Sequence, residues 1–368
     1  MLEQTATLAD DEFRAQNILR GRYPAAMCRA AFALIQLRLR ARDKFTLAHC
    51  MFFDREGLEM ASRQEIARYR AGRLRHCGTI MDLCCGIGGD LLELGAQSRV
   101  RAVDQDRVRL EMARMNAGVA GLGAVDFIQA DVRDVKPRAD AVFIDPSRRL
   151  AGRRVRTSEA YSPPLSHVEA IRRCVEAVAI KVAPGIREQE IPPDCEIEFI
   201  SAAGQCREAV LYFGPLVTAR RRATILPGCH TLEDAPGGEI PVGEPGAFIY
   251  DPDPAVVRSH LLDPLSRQLD AWKLDPQVAY LSSDTCTLTP FARTYQVLEC
   301  LPFKLKRLRE LLLSQGFFPA EIKKRRFPIE PPQLQQRLKI RSGEQPVTLI
   351  ATRIRDRPVV AICKRVRK

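Results

Sequence analysis

With 368 residues, 46% of them hydrophobic, the chain can bury more than one core, which excludes disorder as its dominant state. Lys and Arg number 57 against 45 Asp and Glu, a net charge of +12 that points to a polyanionic partner or an anionic ligand. The surplus is concentrated: residues 301–368 carry 18 Lys/Arg and 5 Asp/Glu, net +13, which leaves 39 against 40 in the first 300. Twelve cysteines without a Cys-x-x-Cys pair, and five histidines without ligand spacing, argue against a metal and for reduced thiols. Near the N-terminus the longest apolar stretch, Ala30 to Ile35, is far short of a membrane span, so a soluble, cytoplasmic chain without a membrane partner is expected.

Residues 1–76 form an N-terminal helical region in this reading. Cys28, Ala31, Leu34, Ile35 and Leu39 recur at spacings of three and four, while Arg29, Arg38, Arg40 and Arg42 fall mostly off that stripe. A second helix is expected over Leu58 to Leu74, from Leu58, Ala61, Ile66 and Tyr69. From Gly78 the pattern becomes alternating strands and helices. Strands are predicted at 79–83, 99–103, 126–129, 141–144, 179–182, 196–200 and 209–213, with helices from Asp90 and over Arg107 to Val119. The fold class is therefore α/β, a doubly wound Rossmann-like sheet in residues 77–226. Pro227 to Pro245 reads as a linker that opens a small α+β region, 227–300, and a basic α+β domain follows over 301–368. Helices are expected at Pro254 to Leu262 and Lys304 to Ser314, and a strand pair at Val347 to Ile354 and Pro358 to Lys364.

The turn Cys84-Cys85-Gly86-Ile87-Gly88-Gly89 lies between the first strand and its helix, where a backbone can pass close to a ligand and helix N–H groups are free. A dinucleotide site needs a third glycine where this chain has Leu91. Acids close successive strands instead: Asp82, Asp104, Asp131 and Asp145. In an open parallel sheet all four face one crevice. An acid after strand two suits a pair of ribose hydroxyls, and one after strand three an adenine amino group. Singly, each is also a common helix cap or turn residue.

Asp82-Leu83-Cys84-Cys85-Gly86-Ile87-Gly88-Gly89, Ala102-Val103-Asp104, Gln129-Ala130-Asp131 and Ile144-Asp145-Pro146 together resemble the class I S-adenosylmethionine-dependent methyltransferases. More closely, the chain resembles bacterial methyltransferases with a C-terminal THUMP-like domain. That likeness rests on Ala67-Arg68-Tyr69-Arg70-Ala71, Asp145-Pro146-Ser147-Arg148-Arg149, Lys181-Val182-Ala183-Pro184-Gly185 and Ile322-Lys323-Lys324-Arg325, and it covers nearly the whole chain. Cys84 stands where the usual loop has its first glycine. The resemblance implies that S-adenosylmethionine is the cofactor. It implies that Cys84, Gly86, Gly88 and Gly89 pass its methionine part, that Asp104 holds the ribose and Asp131 the adenine, and that Asp82 orients the amino group. Asp145 and Pro146 occupy the place where related amino-methyltransferases hold the target amine, with Ser147 and Arg148 replacing a proline and an aromatic residue.

Arg148, Arg149, Arg153, Arg154 and Arg156 follow that motif within nine residues and suit phosphate contacts; a solvated loop is the plainer reading. Lys323, Lys324, Arg325 and Arg326 add a second basic cluster, with RNA the expected partner because THUMP-like modules accompany RNA-modifying enzymes. Arg220-Arg221-Arg222 is equally well explained as charge protecting a strand edge. Tyr280 to Cys286 invites comparison with a catalytic-cysteine segment of uridine methyltransferases, although a lone cysteine is more often a buried small residue. Cys84 and Cys85 lack a nearby base. The expected activity is methylation of an amino nitrogen of a base in structured RNA. A protein or small-molecule methyltransferase, a uridine carbon methyltransferase and a non-catalytic RNA-binding protein are the alternatives.

Overall fold

Two runs of residues, Ala141-Val142-Phe143-Ile144 and Ala177-Val178-Ala179-Ile180-Lys181-Val182, are apolar throughout except for Lys181, and every residue in them is buried. Such runs belong in a parallel sheet covered on both faces. The computed structural model, which describes residues 21–150, 153–155 and 157–366, places them at the centre of one. The chain forms two compact units, the first running up to Ile197 and including Glu208–Thr218, the second made of Glu198–Arg207 and the residues from Ala219 onward.

In the first unit lie β1 (Thr79–Leu83), β2 (Arg99–Asp104), β3 (Val125–Gln129), β4 (Ala141–Ile144), a hairpin of β5 (Arg149–Leu150) and β6 (Arg153–Arg154), and β7 (Ala177–Val182). β8 (Glu196–Ala202) and β9 (Gln205–Phe213) follow. Within this unit the strands run in the order β9-β7-β4-β1-β2-β3. β1 pairs in parallel with both β2 and β4, whereas β9 is antiparallel to β7. The strand order reverses at β1 and β4, so the crevice beyond their carboxyl ends is the place where such a sheet binds ligands.

Among the described residues three helices precede the sheet, α1 (Ala25–Ala41), α2 (Arg55–Met60) and α3 (Gln64–Arg73), and residues 1–20 of the expected helical region lie outside the described residues. The single helix expected over Leu58 to Leu74 is thus two. The apolar positions Ala61 and Ile66 are five apart, one more than a helical stripe allows, and the chain turns between them. Lys44 stabilises the break: its Nζ donates to the carbonyls of Leu58 (2.6 Å), Glu59 (3.2 Å) and Ala61 (2.9 Å), groups that the end of α2 leaves without helical partners. The N-terminal helices share a core with the sheet domain, since Phe45, Met51, Phe53 and Leu58 pack with Ile87 and Leu92. Next come α4 (Leu91–Gly95), α5 (Arg107–Val119) and α6 (Val168–Arg172). Asp106 caps α5 by accepting from the N–H groups of Val108 and Arg109.

The second unit contains β10 (Arg221–Leu226), β11 (His230–Glu233), β12 (Phe248–Pro252), β13 (Trp272–Lys273), β14 (Leu281–Ser283), β15 (Ala292–Pro302), β16 (Phe317–Lys324), β17 (Gln345–Ile354) and β18 (Arg357–Arg365). Its helices are α7 (Pro254–Arg258), α8 (Leu262–Leu269), α9 (Leu305–Ser314) and α10 (Pro331–Leu338). The stretch expected to be a linker includes β11, which pairs with β10 in antiparallel fashion. The helix expected to reach Leu262 ends at Arg258, and a separate one begins at Leu262. A seven-stranded sheet, β13-β14-β12-β15-β18-β17-β16, unites residues expected in two regions. The expected boundary at 300/301 falls inside β15, whose antiparallel register with β18 spans it. Leu308, Leu312, Leu334 and Leu338 of α9 and α10 cover this sheet and pack against Leu349 and Ile362.

Candidate active site

The turn after β1 holds three residues at positive φ, Cys84 at +63°, Gly86 at +55° and Gly88 at +87°. For a residue with a side chain this conformation costs roughly 1–2 kcal/mol, which Cys84 bears in a place suited to glycine. A Cβ on Gly86 would have no atom within 4 Å, so the turn is open to the crevice there. Asp104, at the end of β2, secures the turn by accepting from the N–H of Gly86 (2.8 Å) and of Asp106 (2.9 Å). Burial holds its carboxyl above the usual range against those two hydrogen bonds. Asp131 accepts from the backbone N–H of Arg133 (2.9 Å) and forms an ion pair with its guanidinium, which lowers its pKa to about 2.

Two cavities meet at this turn. The outer, about 190 Å³, is lined by Asp104, Asp131, Asp145 and Ser147; the inner, about 50 Å³, by Asp82, Gly57 and Gly89. Met60, Cys84, Gly86, Arg109 and Asp145 border both. Asp82 is fully buried and neither carboxylate oxygen has a hydrogen-bond partner. Burial, reinforced by Asp145 and Asp104, drives its pKa well above the ordinary value. An orphaned acid at a small cavity is the complement of a cationic amino group.

The roof of the cavities comes from the N-terminal helices, a contribution that periodicity alone concealed. Asp54 caps α2 by accepting from Gly57, and Arg109 of α5 reaches Asp54 (3.1 Å) and Glu56 (2.6 Å). A Cβ on Gly57 would stand 2.6 Å from Cγ2 of Ile87, so α2 lies against the glycine turn only because this residue has no side chain.

Behind Asp145 is a buried polar network. Lys181 Nζ donates to Asp145 Oδ2 (2.6 Å) and to Ser62 Oγ (2.8 Å). Ser62 also accepts from Arg70 Nη2 (3.0 Å) and donates to Asp90 Oδ2 (3.0 Å), which uses its one donor and both lone pairs. Arg70 forms ion pairs with Asp90 and Glu208 and stacks over Phe143. Ser62, Arg70, Asp90, Lys181 and Glu208 were not singled out in the sequence as site residues. The available signal was chemical: a lysine inside an otherwise apolar, doubly covered strand requires a buried partner.

Pro146 is buried, and Ser147 is fixed by a backbone pair with Ser162. Arg148 is half-buried, and its Nη1 has no hydrogen-bond partner. Arg149 is exposed and 3.5 Å from Glu59; Arg153 is exposed; Arg154 lies in β6; Arg156 is outside the described residues. In the second unit, Lys323 pairs with Asp251 (2.9 Å) and Glu321 (3.5 Å), Lys324 with Glu330, and Arg325 with Asp251 (2.9 Å) beneath the Tyr280 ring. Arg326 is exposed. In the other arginine run, Arg222 is buried and forms an ion pair with Glu233 of β11. Cys286 is exposed rather than buried, in the loop after β14 that Tyr250 holds through Thr285 and Thr287. Burial raises the thiols of Cys84 and Cys85 well above their usual value, which keeps both protonated near neutrality. Among the described residues no group of three His, Cys, Asp or Glu is placed to hold a metal, and no helix is long and apolar enough to cross a membrane.

Comparison with known proteins gives the family. Residues 80–148 match the family described as a methyltransferase domain, and residues 292–365 the one described as THUMP domain-like. An uncharacterized S-adenosylmethionine-dependent methyltransferase of Mycobacterium tuberculosis strain CDC 1551 is 40% identical over 310 residues, 82% of this chain and 84% of that protein. Its counterpart in strain H37Rv matches equally. A crystal structure of a proposed methyltransferase from Porphyromonas gingivalis W83 superposes with a TM-score of 0.80 at 20% identity, over 99% of this chain and 98% of that one. With a doubly wound sheet, a glycine turn and acids at its strand ends, the chain belongs to the S-adenosylmethionine-dependent methyltransferases and carries a C-terminal THUMP-like domain. S-adenosylmethionine is its cofactor and supplies an activated methyl group.

Proposed function

We propose that the enzyme methylates an amino nitrogen of a base in structured RNA. The observation that carries this reading is the placement of Asp145: it borders both cavities, and one of its oxygens is already engaged by Lys181. The remaining oxygen, with the Pro146 carbonyl, is assigned to the N–H groups of the target amine, so that its lone pair lies in line with the methyl group. Positioning of this kind accounts for most of the rate when the donor is already activated.

In the same reading Asp104 receives the ribose hydroxyls, Asp131 the adenine, and Asp82 the amino group, with Cys84, Gly86, Gly88 and Gly89 along the methionine part. Arg148, Arg149, Arg153 and Arg154, which follow Asp145 and Pro146 in the sequence, are assigned to the phosphates of one strand of RNA. RNA itself is supported by the THUMP domain-like match and by the positive charge of residues 301–368. Location in the cytoplasm follows from such a substrate.

Mass spectrometry of RNA nucleosides from cells with and without the gene tests the proposal. Loss of one base-methylated nucleoside is expected. Loss of a ribose- or carbon-methylated nucleoside would overturn the amine assignment, and an unchanged profile would overturn RNA as the substrate.

A further inference from the structure

Lys181 is assigned to neither donor nor acceptor in the reading above, yet burying it is costly. Its side chain is 3% exposed, inside a strand whose other five residues are apolar. An ammonium there costs several kcal/mol unless it is paired and hydrogen-bonded. Its two hydrogen bonds reach Asp145 at 2.6 Å and Ser62 at 2.8 Å. Ser62 is itself held by Arg70 and Asp90, so the serine cannot turn away without leaving buried charge unsatisfied.

We infer that Lys181 is a positioning residue for methyl transfer, its ammonium, backed by Ser62, fixing one oxygen of Asp145 so that the other is presented to the acceptor. The inference rests on the assignment of Asp145 to the acceptor. Lys181 does not border either cavity and acts through Asp145. A purely structural strand residue at this place needs no charge, since the neighbours Ile180 and Val182 fill the sheet with apolar groups. The charged groups that surround the ammonium are Asp145 and Asp82 on the acidic side and Arg70, Arg148 and Lys44 on the basic side. Burial first, then the nearby cations, lower its pKa to about 8 against the opposing effect of Asp145. The pair is therefore intact below that pH and lost above it.

Methyl transfer from tritiated S-adenosylmethionine to total RNA of cells lacking the gene is the assay, with Asp145→Ala, Lys181→Gln and Lys181→Arg compared at saturating donor. Displacement of an orienting group by about 1 Å costs on the order of 100-fold, and Lys181→Gln is expected to lose that much in kcat with donor affinity within about threefold. The wild-type rate should fall as pH rises through about 8, and Lys181→Arg, which keeps its charge, should restore activity and remove that fall. An inactive Asp145→Ala beside a fully active Lys181→Gln would overturn the role of Lys181 alone; a fully active Asp145→Ala would overturn the assignment beneath it. A wild-type rate that rises through the same pH, with an inactive Lys181→Arg, would make the lysine a proton acceptor and overturn positioning. Lysine-selective NMR of the free enzyme needs no substrate: the ammonium should titrate near 8 and lower still in Asp145→Asn, and an identical titration in that variant would break the pairing.

Discussion

Two regions of this protein are dense in charge, and they use it in opposite ways. Around the cleft of the first unit charges are left partly unshared: Asp82 has no partner, Arg148 keeps a free Nη1, and Asp145 commits one oxygen to Lys181. In the second unit, Lys323, Lys324 and Arg325 are matched with carboxylates. Strand geometry explains the latter. Residues 323 and 325 are two apart and turn to one side, where Asp251 receives both, while residue 324 turns to the other and meets Glu330. A run of four basic residues in a sequence is therefore not four free cations, and unshared charge beside a cavity is the stronger sign of a ligand.

The largest effect that distinguishes the regions is expected at Asp145. Asp145→Ala should lower kcat by roughly 100-fold or more while donor affinity changes little, because the proposed interaction is with the acceptor at the transition state. Single-turnover methylation and calorimetry with the donor separate the two quantities. Cys286→Ser should be silent in the same assay, since methylation of an amine aligned by a carboxylate needs no thiol nucleophile.

Asp104→Ala comes next. The substitution removes the acceptor proposed for the ribose and also releases the N–H groups of Gly86 and Asp106 that hold the turn. Each hydrogen bond to a charged group is worth roughly 1.5–3 kcal/mol, so calorimetry should show donor affinity reduced by more than tenfold. Unchanged affinity would remove Asp104 from the donor site.

The central sheet was legible because its strands are short apolar runs that end in acids, and α5 was legible down to its limits because Asp106 caps a periodic segment. What could not be read is what joins distant parts of the chain. Arg70 meets Glu208, and Ser62 meets Lys181, across more than a hundred residues, and no local period reports such a pairing. The break after α2 was hidden because its cap is a side chain from outside the helix, Lys44. Lys323 to Arg326 were legible as charge, but their partners Asp251 and Glu330 became visible only through the sheet.

Asp82 offers an effect of opposite sign, a gain in stability where the donor site is lost. Its folded pKa lies above the unfolded one, chiefly through burial. Its contribution to stability is thus complete below the ordinary carboxylate pKa and is lost as pH rises through the folded value. Asp82→Leu replaces a buried unsatisfied acid, at a cost of about 1–3 kcal/mol in the wild type, by an apolar side chain. The donor-free variant should melt a few degrees higher, at roughly 2–4 °C per kcal/mol, and the difference should widen toward alkaline pH. The stabilisation of the wild type by added S-adenosylmethionine should disappear. A variant that melts lower at every pH would place Asp82 among the structural acids.

The smallest effect is expected where the sequence looks most like an RNA site. Counterion release follows the number of phosphates neutralised, and the slope of log affinity against log salt changes by about 0.7–0.9 per contact. Lys323, Lys324 and Arg325 already face Asp251, Glu321 and Glu330, so exchanging each of the three for Gln should shift the slope by less than about 1. Lys304, Lys306, Arg307 and Arg309, at the start of α9, are exposed; neutralising these four should shift it by up to about 3. Filter binding of total RNA at several salt concentrations measures both. Equal shifts would mean that RNA displaces the carboxylates of the paired cluster, and a larger shift from Lys323, Lys324 and Arg325 would return the RNA contact to β16.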